Sequence, residues 1–178
     1  MKTKKKVYVG LAVDIIHEGH INILKTASKY GDVIVGLLTD EAISSYKNIP
    51  HLNFERRKIV VQNIKYVKKV IPQSTLSYVP NLKKLKPDYV VHGDDWKKGV
   101  QKQTRKDVIK TLKKWSGRLI EPKYTKNISS TLIKNKILEI GSSPLNRVSR
   151  LKRLMTSKNI VRLLESHNSF SGFIIENL

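Results

Sequence analysis

Short apolar runs and amphipathic segments alternate along the chain from residue 6 to residue 140. The apolar runs predict buried strands at residues 7–13, 33–38, 68–71, 89–92 and 119–121. Helical spacing of apolar positions between them predicts helices at residues 19–30, 40–46, 54–64, 79–85, 104–115 and 129–140. This alternation is typical of a parallel sheet covered by helices on both faces. The predicted fold is α/β, a doubly wound, Rossmann-like sheet.

The pattern changes after residue 141. Ser142-Ser-Pro resembles a linker, and residues 146–155 form a basic amphipathic pattern that predicts a helix. Residues 159–166 predict another short helix, and residues 172–176 predict a strand. We therefore expect a domain over residues 1–141 and a C-terminal helical extension over residues 142–178.

Charge and composition narrow the function. The formal net charge is +21, but the lysines are scattered and are not interleaved with aromatic residues, so a nucleic-acid interface is not favoured. The same field would attract small anionic substrates. The chain has no cysteine, which excludes disulfides and thiolate metal sites and fits a cytoplasmic protein. The apolar run near the N-terminus is too short for a signal peptide or a membrane span.

The strongest local motif is Asp14-Ile-Ile-His17-Glu-Gly19-His20, at the predicted junction of the first strand and the first helix. Backbone N–H groups at a helix N-terminus attract phosphate, and Gly19 would let a phosphate approach closely. Two imidazoles there could donate hydrogen bonds to phosphate oxygens in a transition state. The alternatives are ordinary histidines or a zinc pair; zinc is disfavoured because Glu18 would face elsewhere and no usual third ligand is near.

Three motifs in this order resemble those of the cytidylyltransferase-like nucleotidyltransferases: His17-Glu-Gly-His20, Gly93-Asp-Asp-Trp96 and Ile128-Ser-Ser-Thr131. The resemblance covers roughly residues 6–140 and implies transfer of a nucleotidyl group with release of pyrophosphate. The intervening segments most resemble the cytidylyltransferase that is found with, or fused to, phosphoenolpyruvate phosphomutase in phosphonate biosynthesis. Residues 151–178 resemble the opening of the mutase barrel, which would end before any catalytic residue of that chemistry.

The resemblance implies roles for individual residues. His17 and His20 would bind the nucleotide phosphates and stabilise the pentavalent transition state. Lys47 would neutralise phosphate charge, or is one more solvated lysine. Arg57 would reach the phosphates or brace its helix. Other nucleotide-binding positions are expected at Gly10, Leu11, Ala12, Gly19, Asp94, Asp95, Tyr124, Ser129, Ser130 and Thr131.

Several of these positions have alternatives or depart from the family pattern. Asp94 and Asp95 would contact the nucleotide or its metal, or form a turn and a helix cap. Trp96 is expected in the core rather than against the base. The family usually has Gly-Thr-Phe-Asp before its first motif, where this chain has Leu-Ala-Val-Asp14. It often has Arg-Thr-Glu-Gly before the third, where this chain has Tyr124-Thr-Lys-Asn.

The sequence therefore predicts transfer of CMP from CTP to a small phosphonate, with 2-aminoethylphosphonate as the leading candidate. The anionic acceptor oxygen would attack in line and would need no general base. One alternative keeps this chemistry with a phosphomonoester acceptor: glycerol-3-phosphate, phosphoethanolamine or phosphocholine. Another is a basic nucleic-acid-binding module with a degenerate site. The resemblance also implies a homodimer, and Mg²⁺ held mainly by the triphosphate oxygens with no dedicated protein metal site.

Overall fold

A computed structural model describes residues 4–97, 99–125, 128–129, 133, 144–157, 166 and 168. Its sheet has five parallel strands: β1 Lys6–Leu11, β2 Asp32–Leu38, β3 Lys69–Gln73, β4 Tyr89–Val91 and β5 Arg118–Ile120. The strand order is β3-β2-β1-β4-β5, so β1 is central and all carboxyl ends lie along one edge. The predicted α/β, doubly wound fold is confirmed.

Helices connect the strands. They are α1 Glu18–Ser28, α2 Asp40–Ser44, α3 Phe54–Gln62, α4 Val79–Leu85, α5 Lys102–Leu112 and α6 Pro144–Ser157. Short 3₁₀ turns cover Asp94–Lys97, Gly99–Gln101 and Lys113–Trp115. Within the described ranges, none of the helices is both long and apolar enough to cross a membrane.

Alternation along β1 divides the core between the two faces of the sheet. Val7 and Val9 belong to a cluster with Leu24 of α1 and Val61 of α3. Tyr8, between them, belongs to a second cluster that includes buried residues of α4 and α5. Because successive side chains of a strand point to opposite faces, one central strand anchors helices on both sides.

Some element boundaries differ from the sequence prediction. β1 ends at Leu11 instead of residue 13, because Val13 takes a φ of +47° that no strand can continue. Asp94–Lys97 forms a 3₁₀ turn, and α5 begins two residues earlier than expected. The predicted helix at 146–155 is confirmed as α6, Pro144–Ser157. Nearly all of the predicted elements at 129–140, 159–166 and 172–176 lie outside the described residues.

Candidate active site

A cavity of about 240 Å³ opens at the carboxyl edge of the sheet, next to β1 and β4. Ten of the residues predicted from the sequence line it: Gly10, Leu11, Ala12, His17, Gly19, His20, Lys47, Asp95, Tyr124 and Ser129. These residues come from segments far apart in the chain. The parallel sheet brings them together because its carboxyl ends share one edge.

The two histidines of the motif build the start of α1. His17 is the N-cap residue, and its Nδ1 accepts a hydrogen bond from the backbone N–H of Gly19 at 3.2 Å. His20 accepts through its own Nδ1 from the backbone N–H of His17 at 3.3 Å. The arrangement is a reciprocal capping box in which imidazoles replace the usual hydroxyl and carboxylate. It holds the ring centroids 3.9 Å apart.

This geometry determines the tautomer of both rings. A neutral imidazole nitrogen that accepts a hydrogen bond carries no proton, so the proton of each ring lies on Nε2. Desolvation, together with the smaller effects of the nearby His17 and Lys47, lowers the pKa of His20 to about 3. Desolvation also lowers the pKa of His17, against the opposing effect of Glu18. At neutral pH the pair consists of two uncharged rings, each with an Nε2–H donor.

Gly19 has a different role from the one its sequence position suggested. Its N–H donates to His17 Nδ1, so that backbone donor is already used. A Cβ at Gly19 would lie 3.0 Å from His17 Cε1 and Nδ1. The glycine therefore lets the imidazole of His17 fold back over the backbone of α1. The Nε2–H groups of the two rings, which these hydrogen bonds do not use, are candidate donors for a phosphate.

Lys47 also lines the pocket and lies just beyond α2. Its backbone N–H donates to Ile43 O at 3.1 Å, and its Nζ lies 5.5 Å from the ring centroid of Tyr46. Its charge contributes to the lowered pKa of His20. The structure therefore brings together the three side chains expected to be catalytic, His17, His20 and Lys47, around one cavity.

Arg57 does not enter this cavity. Arg57 is buried, with 1% of its surface exposed. Its guanidinium donates hydrogen bonds to Leu52 O at 3.1 Å, Ala12 O at 2.5 Å and Asp40 Oδ1 at 2.7 Å. These partners turn its donors toward the protein and away from a ligand. The structure thus departs from the expectation that Arg57 reaches the nucleotide and matches the alternative that it braces the fold. Its hydrogen bond to the backbone carbonyl of Ala12 connects it to a residue that lines the pocket.

The two aspartates of Gly93-Asp-Asp-Trp96 separate in space. Asp95 lines the cavity, whereas Asp94 is not among its lining residues. Asp94 Oδ1 accepts from Tyr124 N–H at 2.9 Å, and its own N–H donates to Pro122 O at 3.1 Å. Asp94 therefore holds the segment after β5 against the turn after β4, which is the turn-forming alternative.

Only part of the third motif can be placed. Ser129 lines the cavity, and its carbonyl accepts from Ile133 N–H at 3.1 Å, as at a helix start. Tyr124 donates its hydroxyl to Ile128 O at 3.2 Å and so ties this segment to the pocket wall. Ser130 and Thr131 lie outside the described residues.

Sequence reasoning missed several pocket residues, including Tyr46, Gln101 and Thr125. Tyr78 also lines the cavity, and its hydroxyl donates to Gly10 O at 3.2 Å. A Cβ at Gly10 would lie 2.3 Å from Tyr78 Cζ, so the glycine makes room for the tyrosine. Because Tyr78 begins a helix on the far face of the sheet, no local pattern marks it as a pocket residue.

His92 is a third pocket histidine, and a sequence signal for it existed. It directly follows β4, a position where side chains meet a ligand in such folds. Its ring stacks on Trp96 with centroids 3.9 Å apart and planes 7° apart, and Trp96 lies in the core as predicted, 1% exposed. His92 Nδ1 lies 2.8 Å from Gly93 O and must carry the proton, because a carbonyl only accepts. Desolvation lowers its pKa, against the hydrogen bond to Gly93 and the charge of Asp95.

Metal ligands are sparse around this pocket. Asp95 is the one carboxylate among the described residues that line it. In the described part of the chain, no three His, Cys, Asp or Glu side chains lie close enough together to hold a metal ion. A divalent ion in this pocket would need most of its ligands from the molecule that brings it.

Comparison with known proteins places this site in a family. The Cytidylyltransferase-like family matches residues 9–136. The chain is 33% identical over 146 residues to ethanolamine-phosphate cytidylyltransferase of Dictyostelium discoideum, which covers 81% of this chain and 39% of that protein. It is 37% identical over 95 residues to glycerol-3-phosphate cytidylyltransferase of Bacillus spizizenii, covering 52% of this chain and 74% of that protein.

A solved structure supports the fold independently. The crystal structure of the lipopolysaccharide core biosynthesis protein from Thermoplasma volcanium superposes with a TM-score of 0.58 at 21% identity, covering 71% of this chain and all of that one.

The chain spans only about two fifths of the length of the Dictyostelium relative. The family match, however, extends over well more than half of the 178 residues. The chain belongs to the cytidylyltransferase-like family.

Proposed function

We propose that this chain transfers the cytidylyl group of CTP to a small phosphomonoester and releases pyrophosphate, with phosphoethanolamine and glycerol-3-phosphate as the first acceptors to test. The observation that carries the proposal is the pair of neutral imidazoles, His17 and His20, whose Nδ1 atoms are both used as acceptors at the start of α1. The choice of acceptor comes from the curated relatives, which are named for ethanolamine-phosphate and glycerol-3-phosphate.

The proposed reaction is an in-line displacement. An anionic oxygen of the acceptor phosphate attacks the α-phosphorus of CTP, a new P–O bond forms, and the bond to the oxygen that bridges to the β-phosphate breaks. The electron pair leaves with pyrophosphate. Because the attacking oxygen is already anionic, no side chain has to remove a proton, and catalysis rests on positioning and charge stabilisation.

The histidine pair supplies donors suited to this charge. Its Nε2–H groups would hydrogen-bond to non-bridging phosphate oxygens as negative charge builds on them. A neutral donor needs no proton transfer in order to act, and a lowered pKa keeps both rings neutral over the working pH range. Each preorganised donor of this kind contributes on the order of 10²–10³ to the rate.

Lys47 would add a full positive charge to the lining of the cavity. A lysine there can follow the triphosphate as charge moves toward the leaving pyrophosphate, because its ammonium is a flexible point charge. The overall charge of +21 would further favour the approach of CTP and of an anionic acceptor.

Mg²⁺ is proposed to arrive with the triphosphate. The pocket offers Asp95 as its only described carboxylate, which fits an ion coordinated mainly by phosphate oxygens and water. Bound in this way, the ion would neutralise triphosphate charge and favour departure of pyrophosphate.

A phosphonate acceptor remains the second candidate, because the segments between the motifs and residues 151–178 resemble proteins of phosphonate biosynthesis. The chemistry is unchanged, since a phosphonate presents the same anionic oxygen. The curated relatives favour the phosphomonoester.

Three further proposals rest on the sequence. They are a homodimer, a division of the chain between residues 141 and 142, and a cytoplasmic location.

Pyrophosphate release tests this proposal. CTP and ATP would each be combined with Mg²⁺ and phosphoethanolamine, glycerol-3-phosphate, phosphocholine or 2-aminoethylphosphonate. We expect release with CTP and one phosphomonoester, a loss of about 10²–10³-fold in kcat for His17→Ala, and near-normal turnover for Lys25→Ala, an exposed site on the same helix. Full activity in His17→Ala, or no release with any pair of substrates, would overturn it.

A further inference from the structure

Helix α6 lies beyond the residues that match the family, yet it is bonded to the domain that carries the site. Arg153 of α6 donates through Nη2 to Asp40 Oδ2 at 3.1 Å and through Nη1 to the carbonyl of His51. One turn further on, Ser157 O accepts from Ser44 Oγ of α2 at 3.0 Å. These contacts connect a C-terminal helix to two separate segments beside the pocket.

Both partners of Arg153 lead on to the turn between β1 and α1. Asp40 Oδ1 accepts a hydrogen bond from Nη2 of Arg57, and Nη1 of the same arginine donates to Ala12 O at 2.5 Å. His51 donates its backbone N–H to Asp14 Oδ1 at 2.5 Å. Arg153 is thus connected to Ala12 through the Asp40–Arg57 ion pair. It is connected to Asp14 through the backbone of His51.

The residue between those two anchors is strained. Val13 has a φ of +47° and is 3% exposed. A β-branched residue rarely adopts this conformation, which is costly and persists only where surrounding contacts impose it. The turn leads directly into His17, so its conformation sets where the histidine pair begins.

The loop that carries Lys47 is held by the same helix. Ile49, two residues beyond Lys47, is 2% exposed. It lines a cavity of about 270 Å³ together with Arg147, Arg150, Leu151 and Leu154 of α6. On its other side the loop is tied to α2 through the hydrogen bond from Lys47 N–H to Ile43 O. The loop therefore contacts both α2 and α6.

We propose that Arg153 is a positioning residue for the phosphate-binding site: it holds the strained turn before His17 and the loop after Lys47 in one arrangement. This inference rests on the proposed function for its catalytic consequence. It deepens that function by making the C-terminal helix part of the working site. The side chain of Arg153 is not among the residues that line the phosphate pocket, and it acts on the site through its hydrogen bonds to Asp40 and His51.

The test compares Arg153→Ala with Lys152→Ala, an exposed neighbour on the same helix. At a temperature where both variants are folded, we expect kcat/KM of Arg153→Ala to fall about ten- to a hundredfold, since small misplacements of catalytic groups have effects of this size. Lys152→Ala should match the wild type. Arg153→Lys should lie between them, because an ammonium keeps the charge and loses the planar fork that serves two acceptors.

Two further readouts separate positioning from simple loss of stability. In a Lys47→Ala background, Arg153→Ala should lower kcat/KM by a smaller factor than in the wild type, because part of its effect passes through Lys47. Amide hydrogen exchange over residues 45–53 should be faster in Arg153→Ala than in Lys152→Ala.

Additive effects of the two substitutions, or exchange rates equal to those of Lys152→Ala, would overturn the inference, as would wild-type turnover in Arg153→Ala. If the wild type itself turns over no substrate, the proposed function fails. The exchange comparison, which needs no substrate, then decides the inference by itself.

Discussion

Two arginine–carboxylate pairs flank the pocket, one on each side of the central strand. Arg57 and Asp40 meet at 2.7 Å beyond β2, with side chains 0% and 14% exposed. Arg105 and Glu121 meet at 2.7 Å beyond β5, with side chains 29% and 16% exposed. Each pair supports a pocket residue through one contact: Arg57 holds Ala12 O, and Glu121 accepts from Trp96, on which His92 stacks.

The difference between the pairs is their access to water. The guanidinium of Arg57 is fully desolvated and depends on Asp40, which also holds Arg153. Desolvation lowers the pKa of Arg57, and the hydrogen bond to Asp40 opposes that shift. Arg105 is partly hydrated and would lose less if its partner were removed. An arginine–carboxylate pair therefore matters more for the stability of the fold where it is desolvated, at Arg57 and Asp40, than where water reaches it, at Arg105 and Glu121.

Removal of the buried arginine should have the largest effect. In Arg57→Ala, Asp40 loses its nearest partner and Ala12 O loses its donor, so the free energy of unfolding should fall by about 3–5 kcal/mol. Denaturant unfolding measures this. Arg56→Ala, an exposed arginine on the same helix, should stay within about 0.5 kcal/mol of the wild type. If Arg57→Ala and Arg56→Ala lowered the free energy of unfolding equally, the buried pair would have no special role in stability.

Neutralisation of the partly hydrated pair, Arg105 and Glu121, should have a smaller effect. Glu121→Gln keeps an acceptor for Trp96 and loses the charge that binds Arg105 in a bidentate contact. We expect a loss of about 1 kcal/mol in the free energy of unfolding, typical of a partly hydrated pair. Glu41→Gln, at an exposed glutamate, serves as the control and should change little. A loss as large as that of Arg57→Ala would contradict the account.

Lowering the pH should reduce the difference in stability between the wild type and Glu121→Gln. The hydrogen bond from Arg105 is the main cause that lowers the pKa of Glu121 to about 2 from 4.5. A carboxyl whose folded pKa is depressed contributes stability above its unfolded pKa and loses it as pH falls through the folded pKa. The gap between wild type and Glu121→Gln should therefore shrink from pH 4.5 toward pH 2. Thermal unfolding of both proteins over this range measures it, and a constant gap would count against the ion pair.

The parts of this molecule that local pattern determines were predictable. The alternation of strands and helices predicted the sheet, and the resemblance to the family assigned His17, His20 and Lys47 to one phosphate-binding site. His17 and His20 lie at the start of α1, the helix that follows β1, and Lys47 lies just beyond α2. Their proximity follows from topology alone.

The parts that depend on long-range hydrogen bonds were not predictable. Nothing local to Arg57 shows that its donors go to Ala12 and Asp40, residues 45 and 17 positions away. Tyr78, at the start of α4, fits into the pocket because Gly10 of β1 leaves room for its ring. Likewise, the amphipathic pattern of α6 predicted a helix and could not show that Arg153 meets a carboxylate 113 residues earlier.

The central claim is that His17 and His20 face the pocket as neutral Nε2–H donors. Nitrogen-15 NMR of the imidazoles, recorded as pH is lowered, tests it most directly. The account predicts the Nε2–H tautomer for both rings, a His20 pKa of about 3, and shifts of both Nε2 signals when CTP and Mg²⁺ are added. Titration of His20 near 6.5, the ordinary histidine value, or a proton on Nδ1 of either ring, would contradict it.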